Sequence, residues 1–246
     1  KEDKISRVMF ITDLNLHNFS FNLLKTEEMG LHQYLVMDFS EKEPKPGMQF
    51  MKMVSMSPWI TLKDKENIPL ETFSAFGVNK YYNSKDLPCV KEEMDSLKNH
   101  PGKPVVIRND KVNPNIIRSK AIISMILALS GHGYVDREGA GYLYPDKITR
   151  KDMLLTTKNI SETFPFMKNN MIVILSLCFG SMHIQKGDEV VGLTTAFFMI
   201  GAGAIVANIS PIEDRFASDY FKKFYHNLYK KNGDKLDIFY NSLAEV

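Results

Sequence analysis

Cys178 and His132 are the residues of this sequence that could act together in covalent chemistry. Cys178 ends the apolar run MIVILSLC, and His132 stands between two glycines directly after the apolar run AIISMILALS. A thiolate can attack a carbonyl carbon, and an imidazole can carry the proton to a leaving group. A cysteine alone at the end of an apolar strand is more often a packed side chain, so the prediction depends on the pair.

The strands that precede the two residues must position them. The apolar runs 121–130 and 169–177 are predicted as buried strands, and they alternate with helical segments along the second half of the chain. This alternation predicts a mainly parallel sheet with helices on both faces. Functional residues of such sheets gather at the carboxyl ends of the strands. If the two strands are neighbours, His132 and Cys178 emerge at the same edge.

Other elements follow from apolar periodicity and turn residues. Further strands are predicted over 6–13, 48–56, 103–109, 141–145 and 203–209. Helices are predicted over 87–100, 113–120, within 188–200, over 213–231 and over 234–245, and near Thr149. Asn113 is the expected N-cap of the second helix, with Pro114 at its first position. Residues 57–86 are interpreted as irregular.

The composition is that of an ordinary globular protein. The chain has 246 residues, of which 44% are apolar and 24% charged, and its formal net charge is +2. So small a net charge gives no electrostatic reason to expect a nucleic acid partner. Two cysteines cannot form a disulfide framework, so we expect a reducing compartment such as the cytoplasm. The chain begins KEDKISR without an initiator methionine, which indicates an excised domain or a processed fragment.

Neither a membrane span nor a cofactor site is predicted. The uncharged run 190–209 is interrupted by Gly201 and Gly203, so we interpret it as a core helix, a turn and a strand. The glycines of GAGA (201–204) lie between a helix and a strand, the reverse of a dinucleotide-binding loop. The histidines and cysteines show no spacing typical of a metal site.

Five segments, in order along the chain, carry a family resemblance. They are LPCVKEEMDSL, LALSGHG, LYPDKITRKDML, ILSLC and GDEVVGLTTAFFMIGAGAIVANISPIED. Together they resemble the CHAT domain, a relative of the caspases that often occurs beside tetratricopeptide repeats. The histidine also precedes the cysteine by about 50 residues, as in caspases. The resemblance covers residues 86–246, which we interpret as the catalytic core, and residues 1–85 form an N-terminal part in which only LNLHNFSFNLL (14–24) is faintly similar.

The resemblance implies a fold and an activity. The fold would be a caspase-like, three-layer α/β/α arrangement with a mainly parallel central sheet. The activity would be that of a cysteine endopeptidase that cleaves specific proteins and is activated by a partner or an adjoining repeat domain, as in bacterial defence and cell death. Cys178 would be the nucleophile and His132 the proton carrier. The N–H groups of Gly133 and Cys178 would hold the oxyanion, and no cofactor would be needed.

The sequence departs from the family pattern around the expected substrate pocket. Leu177 replaces a common alanine, Phe179-Gly180 replaces a common Glu-Thr-Gly, and Ser210 occupies the position of a common tryptophan. These differences bear on the shape of the pocket more than on the chemistry.

Phe179, Glu213 and Asp214 are the candidates for substrate binding. An acidic pocket built from Glu213 and Asp214 would favour Arg or Lys before the cleaved bond. The preferred alternative is that these carboxylates begin the next helix, where they complement its dipole. An apolar pocket formed partly by Phe179 or Met182 is equally open.

Two other function classes compete with the peptidase. An α/β scaffold of this kind can serve as a non-catalytic interaction module, and the departures after Cys178 keep this alternative open. An α/β hydrolase is disfavoured because the chain lacks a G-x-S-x-G motif. A flavodoxin-like receiver is disfavoured because Asp13 alone does not make an acidic cluster.

Overall fold

The computed structural model describes most of the chain between residues 73 and 230, together with short segments outside that range. The described residues are 7–11, 37–38, 45–46, 49–53, 73–136, 139–166, 171–181, 184–186, 189–208, 211–230 and 242. They belong to two compact units, one of Lys1–Met56 with Lys223–Val246 and one of Ser57–Lys222. The division into an N-terminal part, 1–85, and a catalytic core, 86–246, stays a prediction.

In its described residues, the first unit contains two pairs of strands. Its strands are β1 (Arg7–Ile11), β2 (Met37–Asp38), β3 (Lys45–Pro46) and β4 (Gln49–Met53). β1 pairs with β4 in parallel, and β2 pairs with β3 in antiparallel orientation. The strands predicted within 6–13 and 48–56 are therefore confirmed. The segment 14–24 lies outside the described residues, and so does the helix predicted over 234–245 except for Ser242.

The second unit contains the larger sheet and the elements around it. Its strands are β5 (Phe73–Gly77), β6 (Val105–Arg108), β7 (Ile126–Ser130), β8 (Gly133–Asp136), β9 (Gly139–Asp146), β10 (Lys151–Thr156), β11 (Met171–Ser176), β12 (Ile184–Lys186), β13 (Glu189–Val191) and β14 (Ala202–Ala207). Its helices are α1 (Pro88–Ser96), α2 (Pro114–Ala121), α3 (Thr157–Thr163) and α4 (Leu193–Met199), and α5 (Asp214–Lys230) begins in it.

Five of the described strands form the central sheet. Their order is β14-β11-β7-β5-β6, and every neighbouring pair is parallel. All residues of β5, β7 and β11 are buried, as expected of parallel strands covered on both faces. The α/β fold with a mainly parallel central sheet is therefore confirmed.

Helices pack on both faces of this sheet. Successive side chains of a strand point to opposite faces. Phe76, Leu127 and Val173 are buried in one apolar core with residues of α2, α3 and α4. Gly77, which follows Phe76 and so faces the other way, lies against Met94 of α1. The result is the predicted order of helix, sheet and helix.

The helix predicted near Thr149 is wrong, because this segment is an antiparallel hairpin. β9 and β10 pair with each other, and β8 adds a third strand on the far side of β9. The carboxylate of Asp146 accepts hydrogen bonds from the N–H of Ile148 and from the hydroxyl of Thr149, which fixes the tight turn. Helix α3 begins only after Thr156, whose side chain forms a capping box with Asn159.

Two other boundaries differ from the sequence prediction. Residues 57–86, predicted as irregular, contain β5, a central strand of the sheet. The run 121–130 is a strand only from Ile126, because helix α2 continues to Ala121 and a turn follows. The cap of α2 is as predicted, since Asn113 accepts a hydrogen bond from the N–H of Ile116 at 3.1 Å.

The uncharged run 190–209 is divided among three elements of the second unit. It contributes to β13, α4 and β14, and the turn at Gly201 separates the helix from the last strand. In the described part of the chain, no helix combines the length and the apolar character that a membrane span requires.

Candidate functional site

The strands before His132 and Cys178 are direct neighbours, which is the condition for both residues to emerge at the same edge. In the parallel pairing of β7 with β11, Ser130 lies opposite Ser176. His132 and Cys178 each follow their serine by the same short step along the chain. The N–H of Gly131 donates to the carbonyl of Ser176 at 3.2 Å, which extends the pairing past the end of β7. Both candidate residues therefore leave the sheet at the same edge.

Gly133 brings the backbones of the two loops into contact. A Cβ atom built on Gly133 would overlap the carbonyl oxygen of Cys178 and would lie 2.9 Å from its carbonyl carbon. Leu177 Cδ1 would lie at the same distance from that atom. Because most of these neighbours are backbone atoms, they cannot move aside for a side chain. The absence of a side chain at Gly133 is thus a condition for the two loops to meet.

The ring of His132 is oriented by a backbone carbonyl. Nε2 of His132 lies 2.7 Å from the carbonyl oxygen of Lys85. A carbonyl oxygen can only accept a hydrogen bond, so Nε2 carries the proton in this contact. In the neutral ring the lone pair is then on Nδ1, which is the nitrogen able to take up a proton.

Tyr81 supports the same histidine from a second side. The two rings lie with their centroids 4.7 Å apart at an angle of 47°. The hydroxyl of Tyr81 accepts the backbone N–H of His132 at 2.8 Å and donates to the carbonyl of Val78 at 3.0 Å. Burial raises the pKa of Tyr81 well above its ordinary value, so the hydroxyl keeps its proton and can donate.

Asp152 anchors the loop that carries Lys85. Its carboxylate accepts the N–H groups of Tyr82, Asn83 and Ser84 at 2.9, 2.8 and 2.9 Å. Partial burial raises the pKa of Asp152, but the hydrogen bonds from Tyr82, Asn83 and Ser84 outweigh it, so the pKa lies below its ordinary value. The ionised form of Asp152 is therefore the one that holds the loop.

Acidification should release this loop. Since the pKa of Asp152 is lower in the folded state, its stabilisation is present above the unfolded value of about 4 and is lost as pH falls through the folded pKa. We expect amide hydrogen exchange at Tyr82, Asn83 and Ser84 to accelerate below about pH 4 relative to exchange at the amides of the central sheet. Asp152→Asn should show fast exchange at these amides already at neutral pH. Equal protection in both proteins at neutral pH would contradict the anchoring role.

The thiol of Cys178 is half-buried and lies in a braced loop. Its Sγ donates a weak hydrogen bond to the carbonyl of Ile212 at 3.7 Å. The residue after it, Phe179, has a left-handed backbone with φ of 57°. Asn208, directly after β14, donates from its side chain to the carbonyl of Leu177 at 3.3 Å. The loop is therefore tied to the neighbouring strand of the sheet as well as to Gly133.

Cys89, the other cysteine, is buried in the first turn of α1, as predicted for a packed thiol. Its N–H donates to the carboxylate of Asp214 at 3.0 Å, and its carbonyl accepts from the hydroxyl of Ser218 at 3.0 Å. Burial, followed by the hydrogen bond to Asp214, raises the pKa of the Cys89 thiol. This cysteine is therefore less easily ionised than an exposed one.

The candidates for substrate binding have different surroundings. Asp214 begins α5, as the preferred alternative predicted, and its carboxylate caps the N-terminus of α1 through Cys89. Glu213 is exposed, and Phe179 is half-buried next to Cys178. Met182 lies outside the described residues. The roles of Phe179, Glu213 and Asp214 in substrate binding remain predictions.

Sequence reasoning missed a buried carboxylate beneath the site. Glu93 of α1 is 1% exposed, and its two oxygens accept the hydroxyls of Ser130 at 2.6 Å and Ser176 at 3.2 Å. A signal for it was present in the sequence, because Glu93 follows Cys89 and precedes Leu97 by one helical turn each, on the apolar face of α1.

Two of the supporting groups have no comparable signal. Lys85 contributes a backbone carbonyl, and Tyr81 lies in a stretch without periodicity.

In the regions that the structure describes, no cluster of three or more His, Cys, Asp or Glu side chains is arranged to hold a metal ion.

Comparison with known protein families identifies the family of this chain. No curated protein matches this chain. The family model described as the CHAT domain matches residues 1–237, which include the N-terminal part where the sequence resemblance is faint. The match covers nearly the whole chain, and the mainly parallel sheet flanked by helices is consistent with the caspase-like fold of that family. The chain therefore belongs to the CHAT domain family.

Proposed function

We propose that this chain is a caspase-like cysteine endopeptidase with Cys178 as nucleophile and His132 as proton carrier. The observation that supports the proposal most is the alignment of the two strand ends. Ser130 and Ser176 are paired, the two candidate residues follow them in step, and Gly133 touches the carbonyl of Cys178. Thiol catalysis needs a nucleophile and a base close together, and residues at the same edge of a parallel sheet can meet this condition.

In the first step the sulfur of Cys178 would form a bond to the carbonyl carbon of the substrate. The thiol proton moves to Nδ1 of His132, and the ring becomes a cation. Its Nε2–H stays on the carbonyl of Lys85, so the ring keeps its orientation while the charge changes. Nδ1 then gives the proton to the leaving amine as the C–N bond breaks, and water hydrolyses the thioester that remains, which releases the carboxylic acid and restores the thiol of Cys178.

The oxyanion of the tetrahedral intermediate would be held by the N–H groups of Gly133 and Cys178. The N–H of Leu143 donates to the carbonyl of His132, so these two residues form a hydrogen-bonded pair at the end of the antiparallel β8–β9 ladder. Because hydrogen-bonded and non-hydrogen-bonded pairs alternate in such a ladder, the next pair, Gly133 and Tyr142, is not hydrogen-bonded. The N–H of Gly133 is therefore not used by that ladder. One such donor typically stabilises the transition state by about 3 kcal/mol.

Substrate choice and control are part of the same proposal. The substrate would be a protein bound in extended form, with Phe179 and the exposed Glu213 as its first contacts. Asp214 is the weaker candidate, because its carboxylate already accepts the N–H of Cys89. Family resemblance supports activation by a partner or an adjoining repeat domain, cytoplasmic location, and a role in bacterial defence or cell death.

A second candidate function is a non-catalytic interaction module. The contact between Sγ of Cys178 and the carbonyl of Ile212 favours it, because this contact engages the thiol within the fold and not with a base. In this alternative the site contributes to packing, and a partner protein binds elsewhere on the scaffold.

Thiol labelling distinguishes the two candidates, with Cys89 as an internal control. The full chain is treated with a peptidyl acyloxymethyl ketone and with iodoacetamide at several pH values, and the modified residue is identified by peptide mapping. We expect Cys178 to react at least about tenfold faster than Cys89, because the latter is buried with a raised pKa. His132→Ala should slow the labelling of Cys178 by the peptidyl reagent at least about tenfold and leave the labelling of Cys89 unchanged. Labelling of Cys178 at the same rate in the wild type and in His132→Ala would support the interaction module.

A further inference from the structure

A buried carboxylate links the two strands that carry the candidate catalytic residues. Glu93 accepts one hydroxyl with each of its oxygens, from Ser130 at 2.6 Å and from Ser176 at 3.2 Å. These serines are opposite each other in the pairing of β7 with β11. Glu93 thus connects the last residue of each strand, immediately before the loops of His132 and Cys178.

The short side chain of Glu93 reaches both serines because α1 lies close to the sheet. Gly77, the partner of Ser130 on the other side of β7, has no side chain to keep the helix away. A Cβ atom at Gly77 would overlap Cγ of Met94, the residue that follows Glu93. The approach of α1 is therefore set at the same level of the sheet as the two serines.

A buried carboxylate in this position lowers the stability of the fold, which favours a role other than packing. Burial of an ionised group is unfavourable, and an apolar side chain of similar volume is often as good for stability. Hydrogen bonds from hydroxyls to a carboxylate are directional, and the bond from Ser130, at 2.6 Å, is also short, whereas that from Ser176 is longer at 3.2 Å. Here they fix the separation of two strand ends rather than fill space.

We propose that Glu93 is a positioning residue, which sets the separation of Cys178 and His132 through Ser176 and Ser130. It does not touch the substrate. The catalytic part of this inference rests on the proposed peptidase function, since the separation affects a rate only if the two residues act on one substrate. The geometric part of the inference is that Glu93 controls the surroundings of both residues, and it does not depend on the peptidase function.

The test compares Glu93→Gln with Glu92→Gln. The substitution Glu93→Gln keeps the shape of the side chain, but the amide nitrogen of glutamine cannot accept a hydroxyl, so one of the two contacts changes. Glu92 is the matched control, because it is adjacent and exposed and its ion pair with Arg215 lies on the surface. We expect Glu93→Gln to lower kcat by about 10- to 100-fold with little change in KM, since a small misplacement of catalytic groups has this effect. Glu92→Gln should retain the wild-type values.

A double-mutant cycle separates positioning from a general loss of stability. In a background with Ser130→Ala and Ser176→Ala, the further change Glu93→Gln should have little additional effect on kcat, because the contacts it removes are already absent. If Glu93→Gln lowers the melting temperature but leaves kcat per folded molecule unchanged, the positioning role is wrong.

A second measurement is independent of cleavage. The chemical shift of the His132 ring and the rate of iodoacetamide modification of Cys178 should both change in Glu93→Gln and stay constant in Glu92→Gln. If Cys178→Ala and His132→Ala leave cleavage unchanged but these signals change in Glu93→Gln, the peptidase proposal fails and the positioning role of Glu93 stands. If neither signal changes, the inference about Glu93 is overturned whatever the chain cleaves.

Discussion

Replacing Cys178 with alanine should abolish cleavage of protein substrates and leave the fold intact. The thiol is half-buried in a loop outside the apolar core, so its removal leaves little unfilled volume. The loss should be complete within detection, because no other group can form the covalent intermediate. The measurement is a search for new protein N-termini in lysates exposed to each variant. Cys89→Ala is the matched control and should generate the same N-termini as the wild type.

His132→Ala should lower kcat by about 10²- to 10⁴-fold, the usual contribution of a general acid–base residue. His226, exposed on α5, provides the control substitution His226→Ala, which should leave kcat unchanged. New N-termini that persist at wild-type levels in Cys178→Ala or His132→Ala would reject the peptidase proposal.

Gly133→Ala should inactivate the site by a purely steric route. The added methyl group would overlap the backbone carbonyl of Cys178, so one of the two loops must move. A displacement of about 1 Å is enough to cost about 100-fold in rate. We expect a loss of activity of at least that size together with a lower melting temperature, measured by kinetics and thermal unfolding.

Gly102→Ala is the control for Gly133→Ala. Gly102 lies in the turn after α1, away from the strand ends, and its backbone is outside the left-handed region. An alanine there should change neither kcat nor the melting temperature by much. Wild-type cleavage by Gly133→Ala would show that the two loops need not touch.

The positions of His132 and Cys178 were predictable because a buried parallel strand has a simple signature. An uninterrupted apolar run that stops at a polar or glycine-containing segment marks the carboxyl end of such a strand, and two neighbouring ends share an edge. The pairing of Ser130 with Ser176 confirms that reasoning. The N-cap at Asn113 was predictable for an equally local reason, since Asn-Pro carries its own conformational preference.

Strand β5 was not predictable in the same way. Its sequence FSAFG is short and includes small residues, and its stability comes from β7 and β6 on either side rather than from local preference. The loop after it depends on Asp152, which is distant in sequence and belongs to β10. Long-range contacts of this kind leave no periodic pattern in a single sequence.

The acceptor for Nε2 of His132 belongs to the main chain, and this has a genetic consequence. Every amino acid at position 85 supplies the same oxygen, so no single codon change deletes it. An alanine scan would therefore pass over this contact, and mutations that disturb the imidazole would map to residues such as Asp152 that hold the segment in place. A thioamide at residue 85, introduced by chemical synthesis, would weaken the acceptor itself.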